Sequence, residues 1–186
     1  MYWTARFLLV ALVLAVASCA GFGTARSHIT DAAAPRERSS GPVQVRWADP
    51  ATFSELRLSG NRRESARGDW ISELAAHLVM RAQDALPPGE RLEIEITDIR
   101  RAGAYEPWRG IDAYDIRFMR DIYPPRVWLT YRRISADGRV VDGGERSLAD
   151  AMYLSRSGLR SNTDPLRYEK RLLDDWVRHE LPRSGA

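Results

Sequence analysis

The chain has 186 residues, 44% hydrophobic and 28% charged, with a formal net charge of +3. That is the composition of a folded domain, and it excludes a disordered or collagen-like chain. Acidic residues are interleaved with the basic ones almost everywhere, and every cation but Lys170 is an arginine; without a continuous basic stripe, nucleic acid is not an expected partner.

The first element is an export leader. Arg6 gives a short positive start, and an apolar run of about 12 residues follows from Phe7. A membrane-spanning helix needs roughly 20 such residues, and no basic cluster follows the run, so the pattern fits a cleaved signal and not an anchor. Val16, Ala17 and Ser18 then precede Cys19, the only cysteine. An aliphatic residue, two small residues and a cysteine form a bacterial lipoprotein box: the small residues fit the peptidase and the thiol carries the lipid. Acylation also removes a free thiol that is a liability in an oxidising compartment. The expectation is a leader over 1–18 and a lipidated Cys19 on the periplasmic side of the envelope. Ala20, where Asp would retain the protein at the inner membrane, favours the outer membrane.

Residues 19–41 are rich in Gly, Ala, Ser, Thr, Arg and Pro without apolar periodicity. They read as a flexible tether spanning roughly 25 Å. Residues 42–182 suit one domain with one core. Val43, Val45 and Trp47 alternate with polar residues as a half-buried strand, and 51–67 is mixed. Asp69 is placed to cap a long helix carrying Ile71, Leu74, Ala75, Leu78, Val79, Ala82 and Leu86 at helical spacing, stopped by Pro87-Pro88-Gly89. Leu92, Ile94 and Ile96 alternate with Glu93, Glu95 and Thr97 in the clearest strand, dry on one face and wet on the other. A loop over 103–110 precedes strand character over 113–122, with Tyr114, Ile116, Phe118 and Ile122 on one parity; Pro124-Pro125 interrupts it. Two strands, 127–134 and 139–145, are joined by Ala136-Asp137-Gly138, where Asp-Gly signals a tight turn with positive φ at both central residues. A short helix or turn over 148–154 follows. Asp164 and Pro165 open a final helix, with Leu166, Leu173, Trp176 and Val177 as its buried stripe, extended by Tyr168, Leu172 and Leu181. The order implies a two-layer α+β sandwich: a four- or five-stranded, mostly antiparallel sheet with the long helix on one face and a C-terminal helix beside it.

Catalytic chemistry is not written in the sequence. His28, His77 and His179 have no ligand spacing, so no metal is expected. No Gly-x-Ser-x-Gly elbow or phosphate-binding loop is present, and no cofactor is expected. The alternative to a non-catalytic module is an envelope hydrolase acting on glycan or lipid through two carboxylates, drawn from residues such as Asp98, Asp112, Asp121 and Asp150. Arginines interleaved with these acids favour ion pairing instead.

Several segments resemble one bacterial family, the domain of unknown function 3016. They are Ile96–Ile99, Ala102-Gly103, Glu106-Pro107-Trp108, Asp115-Ile116-Arg117, Arg120–Arg126, Leu148–Leu154 and, most specifically, Leu166–Trp176. Arg100-Arg101 departs from the pattern, which there carries a more acidic or apolar pair. The resemblance implies an exported single domain and supplies no activity or catalytic residue. Candidate binding or docking residues are Tyr105 and Trp108 in the aromatic loop, Arg117, Asp121, Tyr123, Arg126, Asp150 and Tyr153 in the middle motifs, and Glu169 and Trp176 on the last helix, where Glu169 is expected to reach Arg117 or Arg126. The chain is thus expected to be a lipid-anchored accessory module that meets an envelope protein or lipid.

Overall fold

The computed structural model describes residues 28–31, 36–155 and 162–181; the expected leader and Cys19 lie outside them. In chain order come β1 (Glu37–Ser40), β2 (Val43–Trp47), α1 (Ser54–Arg57), α2 (Arg62–Ala66), α3 (Trp70–Ala85), β3 (Arg91–Arg100), β4 (Ala104–Tyr105), β5 (Arg117–Phe118), β6 (Arg126–Ile134), β7 (Val140–Ala149) and α4 (Arg167–Glu180). Five strands form one sheet in the order β1-β2-β3-β6-β7, and β4 pairs with β5 in a separate ribbon. The β2–β3 pair is parallel, with α3 as its crossover, and the other neighbours are antiparallel. The molecule is a two-layer α+β sandwich.

The core is the seam between the two layers. Val43, Val45, Leu92, Ile94, Ile96, Val127 and Leu129 of the sheet meet Ile71, Leu74, Ala75, Leu78 and Ala82 of α3 and Leu173, Trp176 and Val177 of α4, all 5% exposed or less. Asp69 stands at the cap position of α3, but its side chain makes no cap hydrogen bond. The final helix begins later than expected: Asp164, three residues ahead of Arg167, accepts from Leu166 N at 2.8 Å in a turn that leads into the helix. Asp174 of α4 joins the helices, accepting from Arg81 Nε at 3.0 Å and lying 2.8 Å from His77 Nε2. Tyr131 of β6 packs edge-on against Trp176 at 5.5 Å, and Arg146 of β7 pairs with Glu180, clamping α4 over the far side of the sheet.

Four local expectations are corrected. The stretch expected as tether contains β1, which pairs along its length with β2, and Ile29, which is 4% exposed and donates to Ala66 O. Polar composition hid this edge strand, whose backbone bonds do not depend on apolar side chains. The turn after β6 is not a two-residue type: Gly138 N bonds to Ser135 O, Ser135 N to Arg139 O, and only Gly138 takes a positive φ, +84°. That is the three-residue loop with a glycine bulge. Residues 148–149 continue β7 instead of starting a helix. Finally, 113–122 is not a strand apart from Arg117–Phe118.

β3 carries a bulge. Its register passes from Ile96 opposite Leu129 to Asp98 opposite Trp128, leaving Thr97 unpaired. The extra residue keeps both Ile96 and Ile99 on the helix side, each 0% exposed, and Asp98 accepts from Ser54 N at 2.6 Å at the start of α1. The opposite face of the sheet is polar. Glu37 accepts from Arg46 there, Glu93 pairs with Arg132, and a shallow depression of about 390 Å³ lies between Arg46, Glu95, Arg132 and Glu145. Leu74→Ala should cost about 3 kcal/mol, as for buried leucines that leave a cavity. Urea unfolding checks this, with the midpoint lowered and the slope unchanged.

Candidate functional site: a lobe at the end of the sheet

β3 ends at Arg100, and the next 25 residues leave the sheet before β6 begins at Arg126. Here the backbone loses its strand partners, so its polar groups must find others. Side chains from two distant helices supply them. Glu55 of α1 accepts from Arg101 N at 2.9 Å, and Glu169 of α4 accepts from Ala102 N at 2.6 Å. Arg117 donates to Ala102 O and Gly103 O, both at 3.0 Å, and pairs with Glu55. Its guanidinium also lies 4.9 Å from the Tyr105 ring centre. Two acids therefore hold successive amides, and one arginine holds successive carbonyls.

A second cluster folds the lobe on itself. Glu106 is 1% exposed, pairs with Arg109 and Arg120, and accepts from Tyr123 Oη at 3.0 Å. Burial works against its charge, yet the hydrogen bonds from Arg109 and Tyr123 and the Arg120 charge hold its carboxyl below the usual range. Tyr153 Oη donates to Arg120 O at 2.6 Å, and its ring meets Tyr168 edge-on at 4.8 Å. Burial pushes the Tyr153 phenol up to about 12. Asn61, at the cap of α2, donates to Tyr114 O at 3.1 Å and Asp115 Oδ1 at 2.8 Å. Gly60 is required beside it, because a Cβ there would lie 2.5 Å from Tyr105 O and 2.6 Å from Pro107 Cδ.

Glu169 is the least comfortable member. It is 1% exposed, and Oε2 has no hydrogen-bond partner among the described residues. Burial raises its carboxyl above the ordinary range, opposed by the Arg101 charge, the Ala102 amide and the Arg117 charge. A burial-raised acid favours the fold most below the ordinary carboxyl range, near 4.5, and that contribution is lost as pH rises through the raised value.

While these charges point inward, apolar side chains point outward. Trp108 is 72% exposed, Ile111 84% and Ile122 63%. Tyr114, Ile116 and Met119 are exposed on the same lobe, as is Met152 in the turn after β7, one residue from Tyr153. Most of the exposed large hydrophobics of the described chain gather here, and such concentrations mark contact surfaces.

The residues singled out in the sequence are divided by this arrangement. Tyr105, Arg117, Tyr123, Tyr153 and Glu169 come together in or beside the clusters, and Trp108, Asp121 and Arg126 are exposed around them. Asp150 is buried and accepts from Met152 N at 3.0 Å. Trp176 lies apart, in the main core. The last helix presents no outward docking face: Tyr168, Glu169 and Trp176 are buried, Asp174 pairs with His77 and Arg81, and Asp175 with Arg171 and Arg178. Glu169 faces Arg101 and Arg117, not Arg126. Sequence reading missed Glu55, Asn61 and Glu106, whose partners are set by tertiary approach; the run Glu106-Pro107-Trp108, one acid among aromatic and proline residues, was their nearest signal.

Two predictions follow from the buried charges. Arg117→Met strands Glu55 and two carbonyls, and should cost about 3 kcal/mol in urea unfolding; adding Glu55→Gln should recover part of it. Glu169→Gln keeps an acceptor for Ala102 N without the buried charge. Its melting temperature should exceed that of the parent at pH 7, and the two should converge near pH 4.

A comparison with curated proteins finds no match, and neither does a comparison with solved structures. The sequence profile of the family described as "Protein of unknown function (DUF3016)" matches residues 41–179, a span from the start of β2 through most of α4 that includes the lobe. With three quarters of its length matched, the chain belongs to the DUF3016 family.

Proposed function

We propose that this protein is an exported lipoprotein, anchored through Cys19 on the periplasmic side of the bacterial envelope, whose domain is a non-catalytic interaction module working through the lobe. The observation that carries the reading is the opposition within residues 101–123: buried charges fix the backbone, and apolar side chains are left in solvent. A loop needing only to connect β3 with β6 has no use for exposed Trp108, Ile111 and Ile122; a contact surface has. The leader, the small residues before Cys19 and the alanine after it supply the address.

The catalytic alternative requires two acids left available in one concavity. Asp98 is bonded by Ser54, Asp150 is buried and caps its own turn, and Asp112 and Asp121 are exposed. These assignments favour the interaction module. Cells fed labelled palmitate should label the wild-type chain and not Cys19→Ser, and the wild type should sediment with outer-membrane fractions. An unlabelled wild-type chain in the soluble cytosol would refute the reading.

A further inference from the structure

We infer that the apolar lobe inserts into the lipid surface itself, so that the domain lies against the membrane and is not held clear of it. The inference rests on the lipoprotein reading for its geometry and names the partner of that same surface.

The argument starts from α2. At its C-terminal end, His28 bridges to Arg67 and Ile29 N donates to Ala66 O at 3.0 Å. At its N-terminal end, Asn61 holds Tyr114 O and Asp115. A helix of five residues is about 7.5 Å long. The entering chain and the lobe are therefore fastened to opposite ends of one short element. In the sheet, Glu37 at the start of β1 lies level with Glu95, midway along β3, and Ser40 at its end lies level with Leu92, so β1 is entered from its lobe side. Only nine residue steps separate Cys19 from His28, a reach of at most about 30 Å. An anchor on Cys19 thus places the lobe within reach of the bilayer.

The side chains suit that neighbour. Trp108 and Tyr114 are the amphipathic aromatics favoured at a membrane–water boundary. Ile111, Ile116 and Ile122 supply aliphatic depth. The exposed charges are mixed, Arg109 and Arg120 against Asp112, Asp115 and Asp121. Attraction therefore comes from apolar burial and not from anionic headgroups. The two chains of a diacylglyceryl group on Cys19 hold the protein at the membrane but leave the domain free to turn; an inserting lobe adds a second foothold that sets the domain's orientation.

The test separates lobe from anchor. The lipidated wild type and an unlipidated chain beginning at Ala20, free of the apolar leader, are mixed with zwitterionic phosphatidylcholine vesicles containing lipid brominated near the headgroup. Trp47, Trp70 and Trp176 are buried and Trp128 is half-buried on the polar face of the sheet, away from the lobe, so Trp108, at 72% exposure, is the lobe's reporter and Trp108→Phe isolates its signal. Both forms should be quenched, in high salt as in low, and Trp108→Phe should abolish most of the quenching. Ile111→Ser, Ile116→Ser and Ile122→Ser together should lower partitioning of the unlipidated form by roughly tenfold or more, with its melting temperature unchanged. A wild type that carries no lipid but is still quenched would sink the anchor and leave the lobe's role standing. A lipidated chain whose Trp108 escapes quenching overturns the inference, as does a dimer of the free chain that the triple substitution dissolves while vesicles have no effect.

Discussion

The end of β3 is where this structure is decided. A strand leaving a sheet exposes amides and carbonyls whose ladder partners have gone, and inside a protein each costs about 1–3 kcal/mol if left bare. Here Glu55 and Glu169 take the amides of Arg101 and Ala102, and Arg117 takes the carbonyls of Ala102 and Gly103. The acids come from α1 and α4, at distant points in the sequence, so the exit closes only when both helices have docked. Lobe and core are in this way parts of one cooperative unit.

The helix layer transmits that constraint. Asp174 joins α4 to α3, and Glu180 joins it to β6 and β7 through Tyr131 and Arg146. Between these fixed points α4 cannot slide without withdrawing Glu169 from the Ala102 amide. Packing alone would tolerate a shift along an apolar seam; the charged contacts, being directional, do not. Glu169 bears a desolvation cost for the role, visible in its raised carboxyl and in an oxygen without a partner. Such a cost is consistent with a contact kept for positioning more than for stability.

The sandwich was legible because its elements obey simple periods. Leu92, Ile94 and Ile96 alternate, and Leu74, Leu78 and Ala82 recur at helical spacing, so burial can be read residue by residue. β1 was not legible: Glu37, Arg38, Ser39 and Ser40 have no apolar residue to betray a strand that is held by its backbone. The lobe misled for the opposite reason. Tyr114, Ile116 and Phe118 alternate as a buried strand would, yet the first two face water, because alternation reports a repeat and not what lies across from it. Of the site, Arg117 and Glu169 were singled out and found together. Their placement inside the molecule, with Glu55 completing the cluster, depended on the approach of α1 and α4, which no local pattern encodes.

Sequence, fold and surface chemistry then fit one account: a domain in which the buried acids Glu55, Glu106 and Glu169 and the arginines they face hold an apolar lobe in a fixed pose beside the point where the chain enters. The pose is the central claim. Native-state hydrogen exchange of the Arg101 and Ala102 amides tests it most directly. The account predicts protection close to that of the central β3 amides, since both groups donate to buried carboxylates. Exchange at the rate of an open loop, with β3 still protected, would contradict it.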